Sequence, residues 1–168
     1  MDILILRHGI AVPRGTTGYP NDDRPLTDEG VRKMEKSARG IVKVVDGVDL
    51  ILTSPLQRAR KSAEIVATAM HRRSLLKPCD ELLPGGSVER LIALLTRNID
   101  RKSIMLVGHN PDLLLCASAL LGSTRSLLDL KKGSLCLIRV PGVPGSRHGT
   151  IVWHLTSKQL RLIGISSS

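Results

Sequence analysis

Residues 3–6 read Ile-Leu-Ile-Leu and run without a break into Arg7, His8 and Gly9. Four consecutive apolar residues, β-branched at alternate positions, specify a strand buried on both faces, as in the interior of a parallel sheet. Such a strand stops at solvent or at a site, and this one stops at a cation beside an imidazole. In open α/β sheets ligands sit beyond the carboxyl ends of the strands. Arg7 and His8 therefore read as the floor of an anion-binding site. Two more apolar strands, 48–52 and 104–107, end in the same manner, at Thr53-Ser54-Pro55 and at Gly108-His109-Asn110.

The segments between them alternate in kind. Residues 9–26 carry Pro13, Gly15, Gly18, Pro20 and Pro25, and a loop this long in a small domain is more often functional than idle. Thr27 caps a helix whose first turn holds Asp28 and Glu29, suited to the positive helix end. Val31, Met34, Ala38, Ile41 and Val45 give it one apolar face, and Asp46-Gly47 ends it. Ser54 reads as the cap of a second helix with Pro55 at its first position, lined by Leu56, Ala59, Ala63, Val66 and Met70. A short strand at 75–77, a loop at 80–86 and a helix capped by Ser87, with Val88, Leu91, Ile92 and Leu95 inward, come next. Asn110 and Pro111 start a further helix, apolar almost all round from 113 to 121 and so expected to be buried, and Gly122 stops it. Residues 134–140 and 150–155 read as a hairpin at the sheet edge, joined through the Pro/Gly-rich stretch 141–145, before a short helix or tail. The pattern predicts an α/β fold, a three-layer α/β/α sandwich over a mostly parallel sheet with an antiparallel edge, formed by a single domain, 1–168.

Composition narrows the function. The net charge is +10, which suggests an acidic partner, although a solvated basic surface accounts for most of the 25 Lys and Arg residues. Nucleic acid fits poorly, because single-strand binders interleave aromatic platforms with basic residues and only Tyr19 and Trp153 are aromatic here. A phosphorylated small molecule or an acidic protein surface suits the chain better. Cys79, Cys116 and Cys136 match no metal spacing and no disulfide framework, so reduced and mostly buried thiols are expected. The N-terminus starts with a strand instead of a basic, apolar leader, and no apolar run is long enough for a bilayer. The expectation is a cytoplasmic protein with no membrane contact. His71, His148 and His154 read as structural or exposed, and Gly85-Gly86 as a plain turn.

If the strands share one sheet, their ends share one edge. His8 and Arg7 then meet His109, and Arg58 joins them from the first turn of the helix after the second strand. Two arginines, whose planar forks each bind two phosphate oxygens, beside two histidines and helix N-termini make a seat for a phosphoryl group. Arg14 and Arg24, in and beside the long loop, are secondary contacts at most.

Four segments carry a resemblance: Arg7-His8-Gly9-Ile10-Ala11, Arg24-Pro25-Leu26-Thr27-Asp28-Glu29-Gly30, Ser54-Pro55-Leu56-Gln57-Arg58-Ala59 and Val107-Gly108-His109-Asn110-Pro111. Their order and junctions resemble the histidine phosphatase (phosphoglycerate-mutase-like) superfamily, and with this length its small SixA-type phosphohistidine phosphatases. The resemblance implies that His8 is the nucleophile and is transiently phosphorylated, with Arg7, Arg58 and His109 holding the non-bridging oxygens. It implies no metal and no cofactor. It also implies a carboxylic acid for the leaving group, with Glu81 as first choice and Asp22 or Asp23 in the long loop as rivals. Lys61-Ser62 departs from the usual Gln-Thr, a change at the packing or the pocket edge. The expected activity is removal of phosphate from phosphohistidine on a signalling or phosphorelay protein. Alternatives are a small-molecule phosphomonoesterase with the same residues, or a non-catalytic phosphate- or nucleic-acid-binding module. The chain lacks the long insertions that larger relatives close over small substrates, which leaves the pocket open for a protein and disfavours a mutase.

Overall fold

A computed structural model describes residues 1–145 and 148–165. Six strands form one sheet: β1 (Asp2–Arg7), β2 (Leu50–Thr53), β3 (Leu76–Pro78), β4 (Ser103–Gly108), β5 (Leu135–Arg139) and β6 (Thr150–Leu155). The order across the sheet is β3-β2-β4-β1-β5-β6. The first four strands run parallel, while β5 and β6 are antiparallel additions on the β1 side. Among the described residues the α-helices are α1 (Asp28–Val44), α2 (Gln57–Ala69), α3 (Val88–Arg97), α4 (Asp112–Leu120) and α5 (Ser157–Ile165).

Alternation along the strands builds two cores. Ile3 and Ile5 of β1, with Ile104 and Leu106 of β4, face α3 and α4 through Leu91, Leu95, Leu113 and Leu120. Leu4 and Leu6, with Met105 and Val107, face α1, α2 and α5 through Met34, Ile41, Val66 and Leu160. Successive side chains of a strand point to opposite faces, so a strand that is apolar throughout needs cover on both. Each fully buried Ile or Leu contributes about 2 kcal/mol, and Leu, Ile, Val and Ala fill most of both layers. The result is the expected three-layer α/β/α sandwich.

Local signals hold at most helix ends. Thr27 Oγ1 accepts from Gly30 N at 3.0 Å, and Ser87 Oγ accepts from Arg90 N at 3.2 Å. The expected cap at Ser54 is corrected: α2 starts two residues later than Pro55 implies, and Leu56 stands at its cap position without a side-chain bond. Ser54 Oγ is engaged by His109 instead. The cap is supplied from the long loop, where Asp23 Oδ1 accepts from Gln57 N at 2.7 Å. α4 also departs from expectation, for one side faces solvent and Leu115 is 44% exposed. Cys116 and Cys136 are buried and Cys79 is half-buried, all three as free thiols. Among the described residues no helix is long and apolar enough to cross a membrane.

Candidate active site

Register decides what lies together. β1 and β4 are paired so that Arg7 sits opposite Gly108, and Thr53 of β2 sits opposite Val107. All three strands therefore end at one edge, and His8, Ser54 and His109 are the residues that follow them. His8 N donates to Gly108 O at 3.1 Å, and Gly133 N reaches the carbonyls of Arg7 and His8 at 3.0 and 3.1 Å. Gly9 N donates to Ser62 Oγ at 3.0 Å, and that hydroxyl donates to Arg58 O at 2.7 Å. The departure at Lys61-Ser62 thus falls on the link between the β1 end and the first turns of α2.

The quartet expected from the sequence converges on one cleft of about 270 Å³. His8 is 7% exposed, His109 4% and Arg58 3%. The two imidazole rings lie 5.1 Å apart, tilted by 55°. His8 Nδ1 lies 2.7 Å from Gly9 O. A carbonyl only accepts, so Nδ1 carries the proton and Nε2 keeps its lone pair. Burial, followed by the neighbouring His109, Arg58 and Arg7 charges, pushes the His8 pKa down to about 3, against the pull of the Gly9 carbonyl. Burial, then Arg58, brings His109 down to about 3 as well. Both rings are neutral at pH 7.

His109 Nε2 lies 2.9 Å from Ser54 Oγ, which also receives Leu56 N at 3.4 Å. Taken as the donor to Nε2, the hydroxyl leaves the proton of His109 on Nδ1. Nδ1 has no partner, and neither have Arg7 Nε, Arg58 Nε and Asn110 Oδ1, all buried. Buried polar atoms are nearly always paired. Four orphans around one cleft, three of them donors, mark a seat for an oxyanion. Arg7 Nη1 is anchored on Leu130 O at 2.9 Å, as is Asn110 Nδ2 at 3.0 Å.

The carboxylates sort themselves by position. Asp22 enters the cleft and takes both arginines: Arg58 Nη1 donates to its carbonyl at 2.5 Å and Nη2 to Oδ2 at 3.1 Å. Arg24 Nε donates to its Oδ1 at 2.6 Å, with Arg14 at 3.8 Å. Arg24, then Arg58, holds the Asp22 carboxyl below its ordinary range. Asp23 points away, onto Gln57, as the cap of α2. Glu81 is not brought to the cleft. It accepts from Cys79 Sγ at 2.9 Å and from Arg97 Nη2 at 2.5 Å, in a separate depression with Asp80, Arg90 and Ala93. The short 3-10 turn Asp80–Leu82 aims this side chain toward α3, which corrects its placement at the leaving group.

Two cleft residues escape sequence reasoning. Asp112, at the start of α4, is buried and its Oδ2 accepts from Gly85 N at 3.1 Å. Lys132 reaches the rim from the 130–133 loop. Asp112 follows the Gly-His-Asn-Pro segment directly, and that adjacency was the available signal; nothing local marks Lys132. Among the described residues no group of three or more His, Cys, Asp or Glu side chains is arranged to hold a metal.

Comparison with known proteins identifies the family and the fold. The family model described as the histidine phosphatase superfamily (branch 1) matches residues 3–81. An uncharacterised protein of Picosynechococcus sp. is 37% identical over 147 residues, covering 83% of this chain and 85% of the relative. Among solved structures, the protein histidine phosphatase SixA complexed with tungstate superposes with a TM-score of 0.82 at 23% identity, covering 95% of this chain and 99% of the other. A mutant phosphoserine phosphatase from Entamoeba histolytica in complex with phosphoserine gives a TM-score of 0.70 at 16% identity, over 95% and 98% of the two chains.

Proposed function

We propose, from the premise that the chain belongs to the histidine phosphatase superfamily and is a phosphatase, that its substrate is phosphohistidine on another protein. The observation that carries the reading is the state of His8: neutral, its proton fixed on Nδ1 by Gly9 O, beside unpartnered guanidinium and imidazole donors. The Nε2 lone pair attacks phosphorus, forming one P–N bond as the substrate's P–N bond breaks on the opposite side. The electron pair of the broken bond returns to the substrate imidazole. Arg7, Arg58 and His109 Nδ1–H hold the three non-bridging oxygens, where the charge sits in a loose transition state. Water then bonds to phosphorus, His8 departs with its pair, and inorganic phosphate leaves.

The carboxylates favour a P–N bond over an alkyl ester. Asp22 is held ionised by arginines, Asp112 by position serves Gly85, and Glu81 lies elsewhere. An alkoxide needs a proton from the enzyme as it leaves. A phosphohistidine ring already protonated on its other nitrogen leaves as neutral imidazole and needs none. A small-molecule phosphomonoesterase remains the second reading, since an open cleft of this size admits a phosphoserine-like group as well.

The test uses p-nitrophenyl phosphate and a phosphohistidine-bearing protein with wild-type enzyme and His8→Ala, each with and without chelator. The expected result is turnover of both by wild type alone, unchanged by chelator, with the larger kcat/KM on the phosphohistidine. Absence of turnover of either substrate sinks the enzymatic reading, and loss of turnover with chelator sinks a reaction run by these side chains alone.

A further inference from the structure

A second cavity of about 340 Å³ lies beside the cleft, between the β1 end, α1, the 130–133 loop and the start of α5. It is lined by five cations, Lys33, Lys131, Lys132, Lys158 and Arg161, and by no carboxylate. Two of the five form ion pairs: Lys33 with Glu29 one turn back at 2.6 Å, and Lys131 with the exposed Asp129 at 3.6 Å. Arg161 donates to the Ser157 hydroxyl at 2.8 Å. Lys132 and Lys158 are exposed and form no ion pair among the described residues. Lys132 lines both hollows, and Gly9, next to the nucleophile, forms part of the wall. The positive surface is thus continuous from the phosphoryl seat into this cavity.

We infer that this cavity is a docking site for acidic side chains flanking the phosphorylated residue of the partner protein. The inference rests on the reading that the substrate is a phosphorylated protein, and it adds what that protein must carry. The cations are mostly lysines, point charges on flexible stems, where a single phosphate would be met by planar forks. Lysines spread around a hollow suit several carboxylates at varied positions. Gly9 adjoins His8, and extended chain advances about 3.3 Å per residue, so the matching carboxylates lie close in sequence to the phosphohistidine. Part of the charge excess of the chain then has a specific use, to steer and hold an acidic partner.

The experiment compares two synthetic peptides, each with one phosphohistidine, flanked either by four glutamates or by four serines, with p-nitrophenyl phosphate as control. The enzymes are wild type and Lys131→Glu/Lys158→Glu, both positions exposed and outside the catalytic cleft. Wild type is expected to prefer the glutamate peptide by about tenfold in kcat/KM, through KM and fading with added salt, since each exposed charge contact is worth only a fraction of that. The double variant loses the preference and keeps its rate on p-nitrophenyl phosphate, which also shows that it folds. Equal kcat/KM on the two peptides, or a preference that survives in the variant, overturns the docking site while leaving the phosphohistidine reading intact. Turnover of p-nitrophenyl phosphate with neither peptide hydrolysed overturns the phosphohistidine reading and this inference with it.

Discussion

The two neutral histidines make the fold acid-sensitive in a defined window. Burial pushes both His8 and His109 from 6.5 down to about 3. The unfolded chain binds a proton at each ring near pH 6.5, while the folded protein refuses it until about pH 3. Between those limits the unfolded state holds more protons, so stability rises with pH. The contribution is complete above pH 6.5 and is lost as pH falls toward 3. At pH 5 the loss is 1.5 units per ring, about 2 kcal/mol each and about 4 kcal/mol for the pair. The carboxylates held below their ordinary values, Asp2, Asp22, Glu29, Glu81 and Glu89, contribute stability that starts to be lost only below about pH 4.5. They are therefore silent in this comparison. His154 is also lowered by burial but is common to every variant.

Urea denaturation at pH 7.5 and pH 5.0 measures the effect in wild type, His8→Gln and His109→Gln. Wild type is expected to lose about 4 kcal/mol more on acidification than a protein without the pair, and each single variant about 2 kcal/mol less than wild type. In parallel, the His8 ring resonance stays flat from pH 7.5 to 5.0 in the folded protein. The same electrostatics keep the nucleophile available: at pH 5 about 99% of a ring with pKa 3 is unprotonated, against about 3% of an ordinary histidine. A folded-state midpoint near 6.5 for His8, or an unchanged pH slope in both variants, refutes the argument.

Three further substitutions test the roles assigned to charged side chains. Arg58→Lys keeps the charge but loses the fork that spans Asp22, and kcat/KM on p-nitrophenyl phosphate is expected to fall by about a hundredfold; a fall under threefold excludes Arg58 from the transition state. Asp22→Asn removes the counter-charge from Arg24 and Arg58, so inhibition by inorganic phosphate is expected to tighten by about threefold to tenfold, and unchanged or weaker inhibition counts against competition for the same guanidinium groups. Glu81→Gln is expected to leave kcat/KM within about twofold and to cost at most about 1 kcal/mol in a thermal melt, because Arg97 is largely exposed; a hundredfold loss of kcat on an alkyl phosphate restores it as the acid.

The parts legible in the sequence are those fixed by period and by strand ends. Runs apolar on both faces dictate a covered parallel sheet, and a parallel sheet converts the order His8, Arg58, His109 into one edge. What the sequence hides depends on where loops return. Ser54-Pro55 has the chemistry of a cap and first helical position, yet Ser54 serves His109. The donor it would have satisfied is met by Asp23, 34 residues away. Glu81 lies in the expected loop, and one short 3-10 turn sends it to Arg97 instead of to the cleft. Lys132 reaches the rim because Gly133, at φ +73°, folds its loop back onto the Arg7 and His8 carbonyls. No local pattern encodes that closure.

The long loop then acquires a physical reason. Arg24 and Arg58 converge on one spot, and two guanidinium groups held that close need an anion between them. Asp22 supplies it, from a backbone at φ 58° following Asn21 at φ 55°. Residues with a side chain adopt that region at a cost of about 1 kcal/mol each. The ion pairs to Arg24 and Arg58 offset the strain, and the bonds of Asp23 to Gln57 anchor the next residue to α2. In the proposed reaction, the phosphoryl group brings a second anion to Arg58, so part of the Asp22 attraction is replaced by repulsion. The loop that pre-organises Arg58 is therefore also the element on which substrate binding acts most directly.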